Sequence, residues 1–134
     1  MTHLSRKKVP ENTINILKKS TEYIFSKLKP KEFDGIANTL LTETERKMLY
    51  KRIGIIYLLK NKVPEIEIAD ILKTTRQTVA RIRLQLQTIP AKEKDILLKK
   101  LHSWKNISTL KSLVKKSTII VTKALFQGKR IYKH

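Results

Sequence analysis

The chain has no cysteine, only three glycines and four prolines, and no acidic residue after Asp95. The missing cysteines exclude disulfides, a thiolate nucleophile and a zinc-finger framework. Gly35, Gly54 and Gly128 are isolated, so no loop is glycine-rich enough to cradle a phosphate. His3, His102 and His134 are far apart, which suggests neither a metal triad nor an acid/base pair. Glu65 and Glu67 fall on opposite sides of one helical pattern and read as surface acids, not as a catalytic pair. No serine has a base close by in the sequence. No apolar run approaches the roughly 20 residues that cross a bilayer, and the opening residues run into Val9-Pro10 rather than an apolar leader. The expectation is a cytoplasmic protein that is not an enzyme, with no catalytic residue and no metal.

What is present is positive charge. The 134 residues are 40% hydrophobic and 31% charged, which suits a folded domain, and they carry a formal net charge of +19. That excess points to a polyanionic partner, nucleic acid before an anionic membrane surface. The charge is uneven: residues 1–40 hold 8 Lys/Arg against 4 acids, residues 41–88 hold 10 against 5, and residues 89–134 hold 12 against 2. The last stretch has the character of an electrostatic footprint.

The apolar spacing predicts helices throughout. Residues 11–28 carry Ile14, Leu17, Ile24 and Leu28, and a short helix follows over residues 31–40. Thr42 and Glu45 form a capping box, in which each side chain bonds the other's backbone N–H, ahead of Met48, Leu49, Ile53, Ile56 and Leu59. Asn61 or Lys62 ends that helix. Residues 65–72 form the next, Thr75 caps another that runs to about Gln87, and residues 92–104 form one more, with Ile96, Leu97, Leu101 and Trp104 available for packing. Pro10, Pro30, Pro64 and Pro90 stand near helix starts, where a missing N–H costs little. Residues 107–126 fit an amphipathic helix, although the β-branched residues 117–122 also suit a strand. Tyr23, Tyr50, Tyr57 and Trp104 read as core residues before they read as base-stacking groups.

Residues 65–84 have the offsets of a helix-turn-helix. Ile68 and Leu72 form the inner face of the first helix, Ala69 allows a close contact, and Val79 and Ile82 face inward on the second. The turn carries Lys73 where glycine is usual and Thr74 where a small apolar residue is usual. On the outer face, Arg76, Gln77 and Ala80 are the candidate base readers. Arginine pairs with guanine O6/N7, and glutamine with adenine N6/N7, through two hydrogen bonds in the major groove. Thr75, Lys73, Arg81 and Arg83 are the candidate phosphate contacts.

Taken together, Leu41-Leu-Thr-Glu-Thr-Glu-Arg46, Lys51-Arg52-Ile53, Ile68-Ala-Asp-Ile-Leu72 and Thr75-Arg-Gln-Thr-Val-Ala-Arg81 resemble the Trp repressor family over roughly residues 12–104. The resemblance implies an all-α, intertwined homodimer whose two helix-turn-helix heads read successive major grooves of palindromic double-stranded DNA. In tryptophan-sensing members the co-repressor lies between two arginines, matched here by Arg52 and Arg81, with a threonine matched by Thr42. Those members have a glycine where this chain has Ile82, which should fill the space for the indole. The expectation is therefore a regulator, a repressor by its resemblance, with no tryptophan cofactor. Thr42, Arg52 and Arg81 have ordinary roles as cap, surface residue and phosphate contact.

This reading divides the chain into a basic arm (1–10), a Trp repressor-like domain (11–105) and a basic helical extension (106–134). The extension is expected to add mainly non-specific affinity, so that truncation after Trp104 would flatten the salt dependence and spare sequence preference. Two other readings stay open. One is an RNA-binding or ribosome-associated basic protein, and the other is membrane or partner binding through the amphipathic residues 107–126.

Overall fold

The computed structural model describes residues 7–113. Its elements are α1 (Glu11–Ser26), a 3-10 turn (Pro30–Glu32), α2 (Phe33–Leu40), α3 (Glu43–Lys60), α4 (Glu65–Ile71), α5 (Arg76–Gln87) and α6 (Ala91–His102). A further helical segment covers residues 107–113. No strand occurs among the described residues, and the fold is all-α. The choice between helix and strand for residues 114–126 falls outside the described residues.

Local chemistry sets the boundaries. Pro10, Pro64 and Pro90 occupy N-cap positions, and their carbonyls accept the N–H groups of Ile14 (3.0 Å), Ile68 (3.0 Å) and Lys94 (3.2 Å). Pro30 opens the 3-10 turn. The capping box of α3 forms as its spacing predicts: Thr42 N–H donates to Glu45 Oε1 at 2.9 Å, and Glu45 N–H donates to Thr42 Oγ1 at 3.1 Å.

Two helices end on a lysine in the left-handed region, where glycine is usual. Lys62 has φ 61° and Lys73 has φ 51°. After α3, Lys62 N–H reaches Leu59 O (3.0 Å) and Val63 N–H reaches Leu58 O (3.1 Å). After α4, Lys73 N–H reaches Asp70 O (3.4 Å) and Thr74 N–H reaches Ala69 O (2.9 Å). Each pair is a Schellman motif, which satisfies carbonyls the helix leaves open. The left-handed conformation costs a lysine on the order of 1 kcal/mol. At Lys73 a further bond offsets part of that cost, because Lys51 Nζ donates to the Lys73 carbonyl at 2.9 Å.

The chain divides into two compact units, Met1–Met48 and Leu49–His134, with the boundary inside α3. In the described part of the first unit Ala37 alone is buried, and α1 buries nothing. Ile14, Ile16, Leu17, Tyr23, Ile24 and Phe25 of α1 are all exposed. The second unit holds the core: Ile55, Tyr57, Leu58, Val63, Ile68, Ala69, Val79 and Ile82.

The structure corrects several packing expectations. The buried face of α3 is Gly54, Ile55, Tyr57 and Leu58, whereas Met48 and Leu49 are exposed. Met48 lies seven residues before Ile55 and Leu49 seven before Ile56, on the same stripes, so the difference runs along the helix: its C-terminal half is enclosed, and Ile56 and Leu59 pack on the core as expected. Gly54 is the point of close approach: a Cβ there would lie 3.2 Å from the Leu72 side chain. In α6 the inward residues are Leu98, which is buried, and Leu101, which packs against the core, while Ile96, and Trp104 just past the end of the helix, are exposed. Of the aromatic residues expected in the core, Tyr57 is there, but Tyr23, Tyr50 and Trp104 are exposed.

Glu67 is also not the surface acid that its pattern suggests. It is 9% exposed, and desolvation raises its carboxyl above the usual glutamate range. Finally, Ile107, Leu110 and Leu113 pack against the core cluster of the second unit. Those residues lie beyond the division expected at residue 105. A truncation after Trp104 would strip apolar packing from that core as well as charge.

Candidate nucleic-acid interface

The second unit builds one face from α4, the turn after it and α5. Ile68 and Val79 are fully buried, Ala69 and Ile82 nearly so, and Leu72 and Leu86 pack against them. These are the inward offsets expected from the sequence. With Val79, Ile82 and Leu86 turned inward, the 100° step per residue leaves Gln77, Ala80, Arg81, Leu84 and Gln87 on the outer arc of α5, with Arg76 and Gln85 at its two margins.

Thr75 has extended φ/ψ and caps α5: its Oγ1 accepts Thr78 N–H at 3.0 Å and lies 2.8 Å from the Thr78 hydroxyl. The side chain expected at a phosphate thus has a local task first, which fixes where the first turn of α5 begins. Arg76 and Gln77 follow directly in that first turn and are exposed, as is Arg81. Ala80 is half-buried and leaves a low spot between the longer side chains. Because the backbone N–H groups of a first helical turn point outward with partial positive charge, this end of α5 suits an anionic partner.

Arg83 lies at the edge of the arc rather than on it. Its Nε donates to Glu65 Oε1 on α4, in a pair that is only partly exposed. One of its five donors is committed, which leaves the terminal nitrogens for any other acceptor. Lys73 is exposed at the turn, with its ammonium 3.6 Å from Asp70 Oδ1 and its carbonyl tied to Lys51. Surface pairs such as Lys73 with Asp70 contribute little and exchange readily for a stronger anion.

The residues matched to the tryptophan site fall in different units. Thr42 belongs to the first unit, where it serves the α3 capping box. Arg52 and Arg81 belong to the second unit and are exposed. Ile82 is 6% exposed and is a member of the core cluster. A half-open apolar hollow does exist in this second unit, lined by Ile56, Leu59, Leu86 and Leu98 with Lys60 and Lys94 beside them, and neither arginine lines it. Among the described residues no group of His, Cys, Asp and Glu is placed to hold a metal ion.

Sequence reasoning missed Leu84, an apolar side chain left 54% exposed on the outer arc of α5. It also missed the Glu65 anchor and the Lys51 clasp. The helical wheel of α5 contained the signal for Leu84. The other two depend on how separate helices pack.

Two short helices joined through a tight turn, the second offering a polar outer arc, make this a helix-turn-helix protein. A family model described as Trp repressor protein matches residues 16–101, and the chain belongs to that family of DNA-binding regulators. No curated protein and no solved structure matches the chain. Among the described residues no helix is long and apolar enough to cross a membrane.

Proposed function

We propose that this protein is a homodimeric regulator of transcription that binds a specific double-stranded DNA sequence and represses. The observation that carries this reading is the outer arc of α5. Arg76 and Gln77 stand exposed in its first turn beside a small Ala80, on a helix held from below by Val79 and Ile82. Arg76 and Gln77 read base edges, Ala80 admits the groove floor, and Arg81, Lys73 and the free nitrogens of Arg83 meet phosphates on either side. Thr75 positions that first turn by capping it.

The homodimer is supported by what the single chain leaves exposed. α1 presents Ile16, Leu17, Ile24 and Phe25 to solvent, and α3 presents Met48 and Leu49 in its N-terminal half. Apolar surface of this extent marks an association site, and a second copy offers the same surface in return.

We further infer that tryptophan is not the effector. Ile82 is packed into the core where sensing members have glycine, so restoring space for an indole would require opening that core. Calorimetric titration with L-tryptophan should show no binding.

Selection of bound duplexes from a random DNA pool, with the protein's mass measured in solution, tests the main reading. A palindromic enriched site and a dimer mass are expected. No enrichment, with tighter binding to structured RNA, would overturn it in favour of a basic RNA-binding protein.

A further inference from the structure

The family match stops at residue 101, yet the helical segment over residues 107–113 is built into the core that carries the helix-turn-helix. The connection is tight: Trp104 N–H donates to Leu101 O (3.1 Å), Ile107 N–H to Trp104 O (3.1 Å) and Thr109 N–H to Asn106 O (3.0 Å). Ile107, Leu110 and Leu113 recur every third residue and turn toward the cluster that includes Ile68 and Val79. Lys105 and Lys111 stay exposed. In the sequence Lys115, Lys116, Lys123, Lys129, Arg130 and Lys133 follow, with no acid among them.

A loose basic tail and a docked one behave differently. A loose tail is attracted to any nearby polyanion and contributes to binding without regard to register. A segment held to the core at three points delivers its lysines to one place relative to α5, so its conformational freedom is given up before DNA arrives.

We propose that residues 105–113 form a phosphate-binding arm fixed to the reading head, and that its partner is the backbone of the same duplex whose groove α5 enters. This rests on the DNA reading above. Ile107, Leu110 and Leu113 act as positioning residues, and Lys105 and Lys111 are the lysines of the arm that meet the backbone.

The test uses the full chain on its selected duplex, with phosphate-ethylation interference and the salt dependence of affinity as readouts. Unmodified protein should show discrete interference at phosphates outside the groove read by α5. The double variant Lys105→Gln, Lys111→Gln changes only exposed residues. It should lose part of that outlying pattern, keep its base preference, and show a log–log salt slope shallower by about 3.6 for the dimer, near 0.9 for each of the two phosphates that each protomer no longer neutralises. The variant Ile107→Ser, Leu110→Ser keeps every charge but releases the segment, and it should blur the same outlying phosphates. A lysine variant with the parental slope and pattern overturns the arm, as does a released variant that keeps the discrete pattern. A full chain that selects a site without outlying interference overturns the arm alone, whereas a full chain that binds no duplex overturns both readings.

Discussion

The two units of this chain solve the burial problem differently. The second unit encloses its own apolar side chains: Ile55, Leu58, Ile68 and Val79 are withdrawn from water by neighbours in the same unit. In the first unit a helix as apolar as α1 covers nothing, and Ala37 is the buried residue of its described part. The second unit closes a core with its own residues, whereas under the proposed dimer the exposed apolar surface of the N-terminal unit is what a second copy covers.

The sharpest way to break that comparison is to make the same kind of cut in both units. Ile68→Ala should lower unfolding free energy by about 2–5 kcal/mol, because a fully buried side chain leaves a cavity that the helix pair cannot collapse into. Urea denaturation should show the loss at every protein concentration. Leu17→Ser combined with Phe25→Ser should instead weaken association by about 2 kcal/mol or more, as expected when an aromatic anchor leaves an interface. Sedimentation equilibrium would then show dissociation at higher concentration, with melting of the reading head little changed. If the α1 variant melts lower by the same amount at all concentrations, the division between a self-sufficient and a dependent unit is wrong.

Within the second unit, function and stability should separate. Arg76→Ala should cost about 1–3 kcal/mol of affinity for the selected duplex and relax the preference at one base position. Its thermal midpoint should stay near that of the parent, since Arg76 is exposed. Equal losses on specific and random duplexes would remove Arg76 from the base readers. Thr75→Ala should reverse that pattern. Losing the cap costs about 1 kcal/mol of stability, and the frayed first turn should then weaken selected and random duplexes alike.

The smallest effect concerns Glu67. Its carboxyl titrates above the ordinary value of 4.5 because burial disfavours its charge, so the folded state holds its proton more tightly than the unfolded state does. Its contribution to stability is greatest below the ordinary pKa. It falls as pH rises from there through the raised folded value. Glu67→Gln, which stays neutral, should be slightly more stable than the parent at pH 7. Melting curves of the two proteins should converge below about pH 4.5.

Much of the helix-turn-helix was legible because its signals are local. Thr42 with Glu45, and Thr75 with Thr78, lie three residues apart, and hydrogen bonds over that distance need no knowledge of the rest of the chain. The inward stripe Ile68, Val79 and Ile82 follows from helical period alone. Other features resist that kind of reading. Glu65 meets Arg83 across 18 positions, and Lys51 meets Lys73 across 22, so each pair exists only once α3, α4 and α5 have packed. Glu67 has the sequence neighbourhood of a surface acid and loses its water only when α4 is seated. Lys73 illustrates the middle case: the sequence marks the place where glycine is usual, and only the structure shows the lysine in the left-handed conformation there.

Residue order by itself determined the helices, their caps, the position of the helix-turn-helix, the basic excess and the family. Each is a matter of spacing or composition within a few turns of chain. The tertiary structure decided that the C-terminal half of α3 is the buried half, that Arg83 is shared with α4, and that residues 107–113 pack on the core of the second unit. Those outcomes depend on which surfaces exclude water from one another, and periodicity carries no record of the partner.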